Sequence, residues 1–600
     1  MKNFFPPKNQ NYTYLQTNRS DDLGSLWSTM GLDFQSNLGT IKLAPRLKIN
    51  TSSADDADLG CAIGFVRFQS KIFTIAGTRV FVSSGATPDL TFAEDASTGA
   101  ATDYTPDESD IIFFNSVLVT TTTDALLSLD AATGGTWTSR DTLNTGTPHM
   151  MTYFQKFNRL YYTNTSNDIC SINTSWTVSD TSDYSIDLGG AGLIDFITCI
   201  TSNSEYIWIG ILQRTNLPTA KIYQWDGISS QVTKEFKIEN AAGIMAITVM
   251  DDIPYAMDSN GILYKFVGYN FEEVGRLPYL STLPKNINSL DNNRFIHPNG
   301  LMPTKNGTIL ALIDNELEDN GATILENLPS GIWEWSPEYG FTHKYSLTYN
   351  PVASATITDF GQNRLSRVGG LSDVNWASDS ATRNGTILCG ATYFTDATTT
   401  ASAILLDDSN NTVQKKGYFV TTWFNSEEVE DKWIRLWAIY KRLLASTDTI
   451  VFKYRLNEEN PVYATITWTS TTTFTTTTNI TAYGPTAAGF NGTIGGEVEV
   501  LQGTGGSVCA HITSIVNNAG TYTVTIDTVA TGVTNGTAKA RFQKWIKIFP
   551  EISGQIKSWE QMSIGDNNTR IQIKCCMTFT GDDEFQRFAL VSNEDIKINP

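Results

Sequence analysis

Between residues 158 and 172 two short apolar runs flank a polar bend. Leu160 and Tyr162 share one face of the first run, and Ile169 and Ile172 lie near the core-facing side of the second. Asn164, Thr165, Ser166, Asn167 and Asp168 fill the turn, as expected of a hairpin between two strands. Related units recur along the chain: Lys71-Ile72-Phe73 with Arg79-Val80-Phe81-Val82, then Val117-Leu118-Val119, Tyr206-Ile207-Trp208-Ile209 and Ile253-Pro254-Tyr255-Ala256. Looser copies follow at 307–312 and 385–389. The spacing is roughly 40 to 50 residues, the period of four-stranded propeller blades. Residues 61–415 are therefore predicted to form a six- or seven-bladed β-propeller, closed by pairing its first and last strands so that no long sheet edge is left open. Several units end in aromatics, among them Trp225, Phe266, Trp333 and Trp335, which are expected to wedge between neighbouring blades.

Past residue 416 the period is lost. Residues 416–464 and 542–600 are predicted to build a β-sandwich, beginning with the strand at 417–423. The run Lys432 to Tyr440 also places Trp433, Trp437 and Tyr440 on a helical face, but it is read as a strand because the alternating segment 449–456 follows a short turn. The sandwich resumes with strands at 556–564 and 570–579, joined by a turn at Gly565-Asp566-Asn567-Asn568. Residues 465–541, opening on a Thr-rich tract and holding hairpin strands at 496–501, 510–515 and 521–526, are predicted to be an inserted small β-barrel. Residues 1–60 form an N-terminal arm whose apolar residues Leu26, Trp27, Met30, Leu32, Phe34, Pro45, Arg46 and Leu47 make a docking segment. That segment either supplies a strand that closes the propeller or reaches a neighbouring subunit.

Composition agrees with an all-β chain. Of 600 residues, 40% are hydrophobic and only 17% charged, with Thr, Ser, Asn and Gly prominent. A net charge of −20 argues against a phosphate-gripping surface, while it suits a wall that lets DNA slide past. No stretch reaches the ~18 apolar residues of a membrane span, and the first residues carry no apolar run of signal-peptide length, so neither insertion nor export is expected. The seven cysteines, without a Cys-x-x-Cys pair, read as reduced core residues, and Cys575 and Cys576 should point to opposite faces of one strand.

Candidate chemistry is sparse. His149, His297, His343 and His511 have no metal-ligand spacing, and no G-x-S-x-G elbow occurs. The loop beginning Gly503-Thr504-Gly505 lacks the lysine and helix of a phosphate cradle. The acidic clusters at 55–58, 427–431 and 582–584 lack the alternating ligand pattern of a calcium loop. No catalytic, cofactor-binding or metal residue is predicted, no cofactor is expected, and the chain is not expected to be an enzyme.

The segment Ser128-Leu129-Asp130-Ala131-Ala132-Thr133-Gly134-Gly135-Thr136-Trp137 resembles the Asp-box of sialidase-like propellers, with two extra residues before the Gly pair. In that family the box is a structural hairpin away from the active site. The arginines are well separated and no Arg-Ile-Pro occurs, Arg276-Leu277-Pro278 being the nearest triplet, so this resemblance is one of architecture.

An arm containing Gly31-Leu32-Asp33 and Pro45-Arg46, a large propeller without catalytic residues and a C-terminal β-sandwich together resemble structural tail proteins of tailed bacteriophages, of the nozzle or tail-tube hub type. The resemblance implies a virion protein assembled in the host cytoplasm. It implies a homo-oligomeric ring, hexameric by preference, that meets other tail proteins such as adaptor and fibres. DNA would cross its lumen during ejection without specific binding. The alternative is a glycan-binding receptor-recognition tail protein or lectin-like propeller, with Trp225, Trp333 and Trp335 stacking on sugars.

Overall fold

Strand pairing in the computed structural model follows the period of the apolar runs. The structure describes residues 2–4, 26–30, 32–33, 41–43, 47–49, 61–84, 91–95, 104, 109–145, 147–165, 167–181, 183–189, 195–213, 219–277, 295–313, 331–338, 340–346, 365–374, 386–394, 400–407, 415–421, 423–425, 433–440, 448–456, 461–504, 508–530, 536–549, 551–553, 560–568, 570–579 and 584–592. Among them, seven successive antiparallel sheets form blades. Blade one runs from Ala62–Phe68 to Thr91–Glu94, blade two from Ile111–Phe114 to Trp137–Thr142, and blade three from Met151–Phe154 to Val178–Ser179. Blade four runs from Asp195–Ser202 to Lys234–Glu239, blade five from Ile244–Met250 to Phe271–Arg276, and blade six from Leu301–Pro303 to Gly340–Ser346. Blade seven contains Leu365–Val374, Thr386–Phe394 and Thr400–Asp407, and takes its outermost strand, Leu47–Ile49, from the N-terminal arm. The first strand of each blade touches the first strand of the next, and Leu365–Val374 touches Ala62–Phe68, so the ring is closed. At that closure a Cβ on Gly369 or Gly390 would run into the Ala62 carbonyl, which is why glycine stands at both places.

Each blade lies between two others, so its middle strands are buried on both faces. Every residue of Arg159–Thr163 is buried. Leu160, Tyr162, Cys170 and Ile172 pack against Phe114, Val119 and Leu126 of blade two. Tyr161 and Ile169 pack against Ile207 and Trp225 of blade four. Ile169 and Ile172 therefore lie on opposite faces, not on the shared side read from the sequence, since residues three apart in a strand point opposite ways. The terminal aromatics do wedge between blades: Trp225 meets Tyr161 edge-on with centroids 5.5 Å apart, and Trp335 meets Tyr255 at 5.6 Å.

Two larger sheets follow. In one, Leu32–Asp33, Ile41–Leu43, Glu584–Ser592, Trp433–Tyr440 and Glu560–Asn568 are neighbours in that order, with Lys2–Phe4 on Glu584–Ser592. In the other the order is Leu26–Met30, Lys415–Thr421, Arg570–Phe579, Thr449–Arg455 and Ile546–Lys547. Leu32, Ile41, Leu43 and Leu436 of the first sheet belong to one apolar cluster with Phe452, Ile573, Cys575 and Met577 of the second. The segment at Trp433 is a strand, as read. The expected turn at 565–568 is instead strand: Trp433 pairs with Asn568 and Arg435 with Ser563, and a register shift between them absorbs the extra residues.

A closed six-stranded barrel interrupts the second sheet, in the order Val462–Ser470, Thr473–Thr476, Thr521–Ile526, Cys509–Asn518, Glu497–Gly503 and Thr537–Gln543. Its strands extend a few residues beyond 465–541 at each end, because Val462 pairs with Phe542 to close the wall. Ile466, Trp468, Phe474, Val498, Val500, Val524 and Phe542 fill it. The helical elements among the described residues are the 3-10 turns Pro298–Gly300 and Thr481–Tyr483. No helix among them is long and apolar enough to cross a membrane.

Candidate functional site

The docking arm is the first candidate. Leu26 pairs with Thr421 and Met30 with Tyr418, with a register shift between Leu26 and Ser28 that leaves Trp27 out of the ladder. Leu32 pairs with Leu43 and is buried, and Leu47 pairs with Asp407 in blade seven. Phe34, Pro45 and Arg46 lie outside the described residues. Within one chain the arm thus borders both C-terminal sheets and completes the propeller.

A second cluster lies on the propeller axis. Asp110 stands just before the first strand of blade two. Its Oδ1 accepts from the Ile111 amide at 2.8 Å and from Asn299 Nδ2 at 2.9 Å, and its Oδ2 accepts from the Met151 amide of blade three at 2.8 Å. Asn299 also donates to the Ile63 carbonyl of blade one at 3.2 Å. Asn299 belongs to the 3-10 turn that leads into blade six, where His297 caps it by accepting from the Asn299 amide. Blade six is not a neighbour of blades one and two, so these bonds bridge the ring across its axis. Burial pushes the Asp110 carboxyl up to about 6, although the Met151 and Ile111 amides and Asn299 pull it down. The arrangement offers fixed donors around one carboxylate.

The third cluster sits where the barrel joins its host sheet. On Glu497–Gly503, Val498 and Val500 point into the barrel and Glu497 and Glu499 point out of it. The outward face meets lysines of the host sheet: Glu497 receives Lys453 Nζ at 2.5 Å and Lys574 Nζ at 2.6 Å. Glu499 receives Arg541 at 2.5 Å. Side-chain exposure is 4% for Lys453, 2% for Lys574 and 0% for Glu497, so this is a buried ion cluster, where partners matter far more than on a surface. Burial raises the Glu497 carboxyl, and Lys453 and Lys574 more than offset that, holding it well below its ordinary range. Burial, with Lys453 beside it, lowers His511 to about 3, so this imidazole is neutral. Cys509 and Cys576 adjoin the lysines, with Lys453 Nζ 3.4 Å from Cys509 Sγ.

Neither cluster was found from the sequence. The alternation Glu497-Val498-Glu499-Val500 was the available signal, but a charged strand face reads as solvated until another sheet is known to cover it. The remaining candidates are structural. Trp225, Trp333 and Trp335 are buried, with Trp225 Nε1 donating to the Ser229 carbonyl and Trp335 Nε1 to that of Val274, so these three are closed to sugars. In the Asp-box hairpin of blade two, Asp130 accepts from the Thr136 amide at 3.2 Å, and Ser128 accepts from Arg140. His149 is enclosed between the carbonyls of Thr163 and Thr123. Among the described residues no three His, Cys, Asp or Glu side chains lie together as a metal site. The acidic clusters at 55–58 and 427–431 lie outside the described residues, as do 582 and 583 of the third.

No protein-family model matches the chain, and no curated protein matches it. Solved structures do. A streptogramin B lyase is similar at 12% identity and TM-score 0.37, over 60% of this chain and 97% of that one. The virginiamycin B lyase of Staphylococcus aureus is similar at 11% identity and TM-score 0.36, over 60% and 98%. The WD40 domain of Neurospora crassa Pan2 is similar at 10% identity and TM-score 0.35, over 61% and 97%. Such likeness concerns the propeller fold alone; the seven blades stand on the chain's own strand pairing.

Proposed function

We propose that this chain is a structural wall protein of a phage tail, of the nozzle or hub type, whose copies form a ring around a lumen that DNA crosses during ejection. The observation that carries the proposal is the arm. Its strands lie along the second of the two C-terminal sheets, then the first, then blade seven, tying distant parts of a long chain into one piece. In this reading the two C-terminal sheets face each other as a β-sandwich, since Leu43 and Leu436 of one share a core with Phe452 and Met577 of the other. Among the described residues Leu26–Met30 is the outermost strand of its sheet; it touches Gly340–Ser346 of blade six, and a sheet-edge strand is where a neighbouring subunit would add its own. The Asp110–Asn299 bridge crosses the propeller axis, so DNA would pass between subunits and not through a propeller. The net charge of −20 favours sliding over gripping. The reading assigns no catalytic step and no cofactor.

Solution mass tests it. Six chains of 66.1 kDa give roughly 400 kDa, and a six-fold ring should appear in electron micrographs. A protein that stays monomeric at every concentration and salt tried would sink the proposal. Saturable binding on a glycan array would favour the receptor-binding alternative, through side chains other than the three buried tryptophans.

A further inference from the structure

The inserted barrel is joined to its host sheet by two crossings of the chain, near Val462 and near Phe542, and these lie side by side because the two residues are paired. A body attached along one seam is free to pivot about it unless something holds its far side. The buried ion cluster does part of that, and beside it stand two thiols from the two bodies. Cys509 opens the barrel strand Cys509–Asn518, and Cys576 lies on Arg570–Phe579 of the host sheet. Cys509 Sγ lies 3.4 Å from Lys453 Nζ, and Cys576 pairs with Val451, two residues before Lys453 on the adjacent host strand. Both are half-buried and pack against Tyr418, Val420 and Trp545. Cys575, the next residue along, is fully buried in the apolar cluster on the opposite face.

We propose that Cys509 and Cys576 form a reversible disulfide that staples the barrel to the host sheet, with a small-molecule disulfide such as oxidised glutathione as the oxidant. Two thiols packed against the same three side chains need only a short approach to reach bonding geometry. The two sulfurs differ in character. Cys509 beside it, with help from Lys453 and Lys574, outweighs burial and lowers the Cys576 thiol to about 7. The neighbouring Cys576 and burial raise Cys509 well above its ordinary value. Cys576 is therefore the attacking thiolate. It displaces one glutathione thiolate from oxidised glutathione and forms a mixed disulfide. Cys509 then attacks the Cys576 sulfur, expels the second glutathione thiolate and gives up its proton. The balance is two protein thiols and one glutathione disulfide giving one protein disulfide and two glutathione thiols. This inference does not depend on the ring proposed above.

The test is a non-reducing peptide map of the full chain after equilibration with graded ratios of oxidised and reduced glutathione. The expected result is a linked peptide pair containing Cys509 and Cys576, loss of alkylation at those two sites while they remain linked, and recovery with dithiothreitol. In Cys576→Ser the linked pair should vanish and Cys509 should stay alkylatable. Full alkylation of both cysteines after oxidation, or arrest at a glutathione adduct on Cys576, overturns the proposal. The wild-type map decides the matter by itself if the variant fails to fold.

Discussion

Glu497 illustrates how one residue's meaning depends on what covers it. Its carboxylate neutralises two buried ammonium groups, and Glu497→Gln would leave Lys453 and Lys574 desolvated without a counter-charge. Losing such a partner costs about 3–5 kcal/mol. Urea unfolding followed by tryptophan fluorescence should report that loss, with Trp545, whose ring lies 5.9 Å from Lys574 Nζ, as the nearby reporter; an unchanged midpoint would refute the assignment. The pH dependence has a definite sign. Glu497 is depressed in the folded chain, so its contribution is present above its ordinary value of 4.5 and lost as pH falls through the lower folded value. His511 is lowered from 6.5 to about 3, so acid also favours the unfolded chain, which protonates first. Asp110 acts the other way. Its carboxyl is raised from 3.8 to about 6, so the folded chain holds the proton more tightly and that contribution fades as pH rises through 6. Relative to Asp110→Asn, the wild type should lose about 3 kcal/mol of stability between pH values below and above that window. Denaturant titrations of both proteins across the range would show it, and parallel curves would contradict it.

At the scale of elements, the blades were legible because their middle strands are short, apolar and evenly spaced. The sequence reading failed inside a blade: strands covered on both faces lose the alternation that says which way each residue points, as at Ile169 and Ile172. The length of Glu560–Asn568 was missed for a related reason, since Gly565-Asp566 looks like a turn unless the pairing with Trp433–Tyr440 is known. The arm's apolar residues could be picked out by eye, but Leu47–Ile49 is only three residues long and takes its identity from Thr400–Asp407. Removing residues 1–50 should leave blade seven with an open edge, lower the unfolding temperature by several degrees and make the protein aggregate on warming. A truncated chain that melts and stays soluble like the full one would show that the strand does not protect the edge of blade seven.

At the scale of the whole molecule, period, composition and charge together determined that the chain is all-β, that blades fill its first two thirds, and that its surface is acidic. These properties repeat along the chain or add over it, so they need no knowledge of contacts. Tertiary structure alone decided the rest. It set the ring at seven blades by lending the last one a strand from the arm, carried Asn299 across the axis to Asp110, and laid Lys453 and Lys574 over Glu497. Each of these joins residues far apart in sequence, and the free energy of such a contact depends on what its partner buries, which no local pattern records.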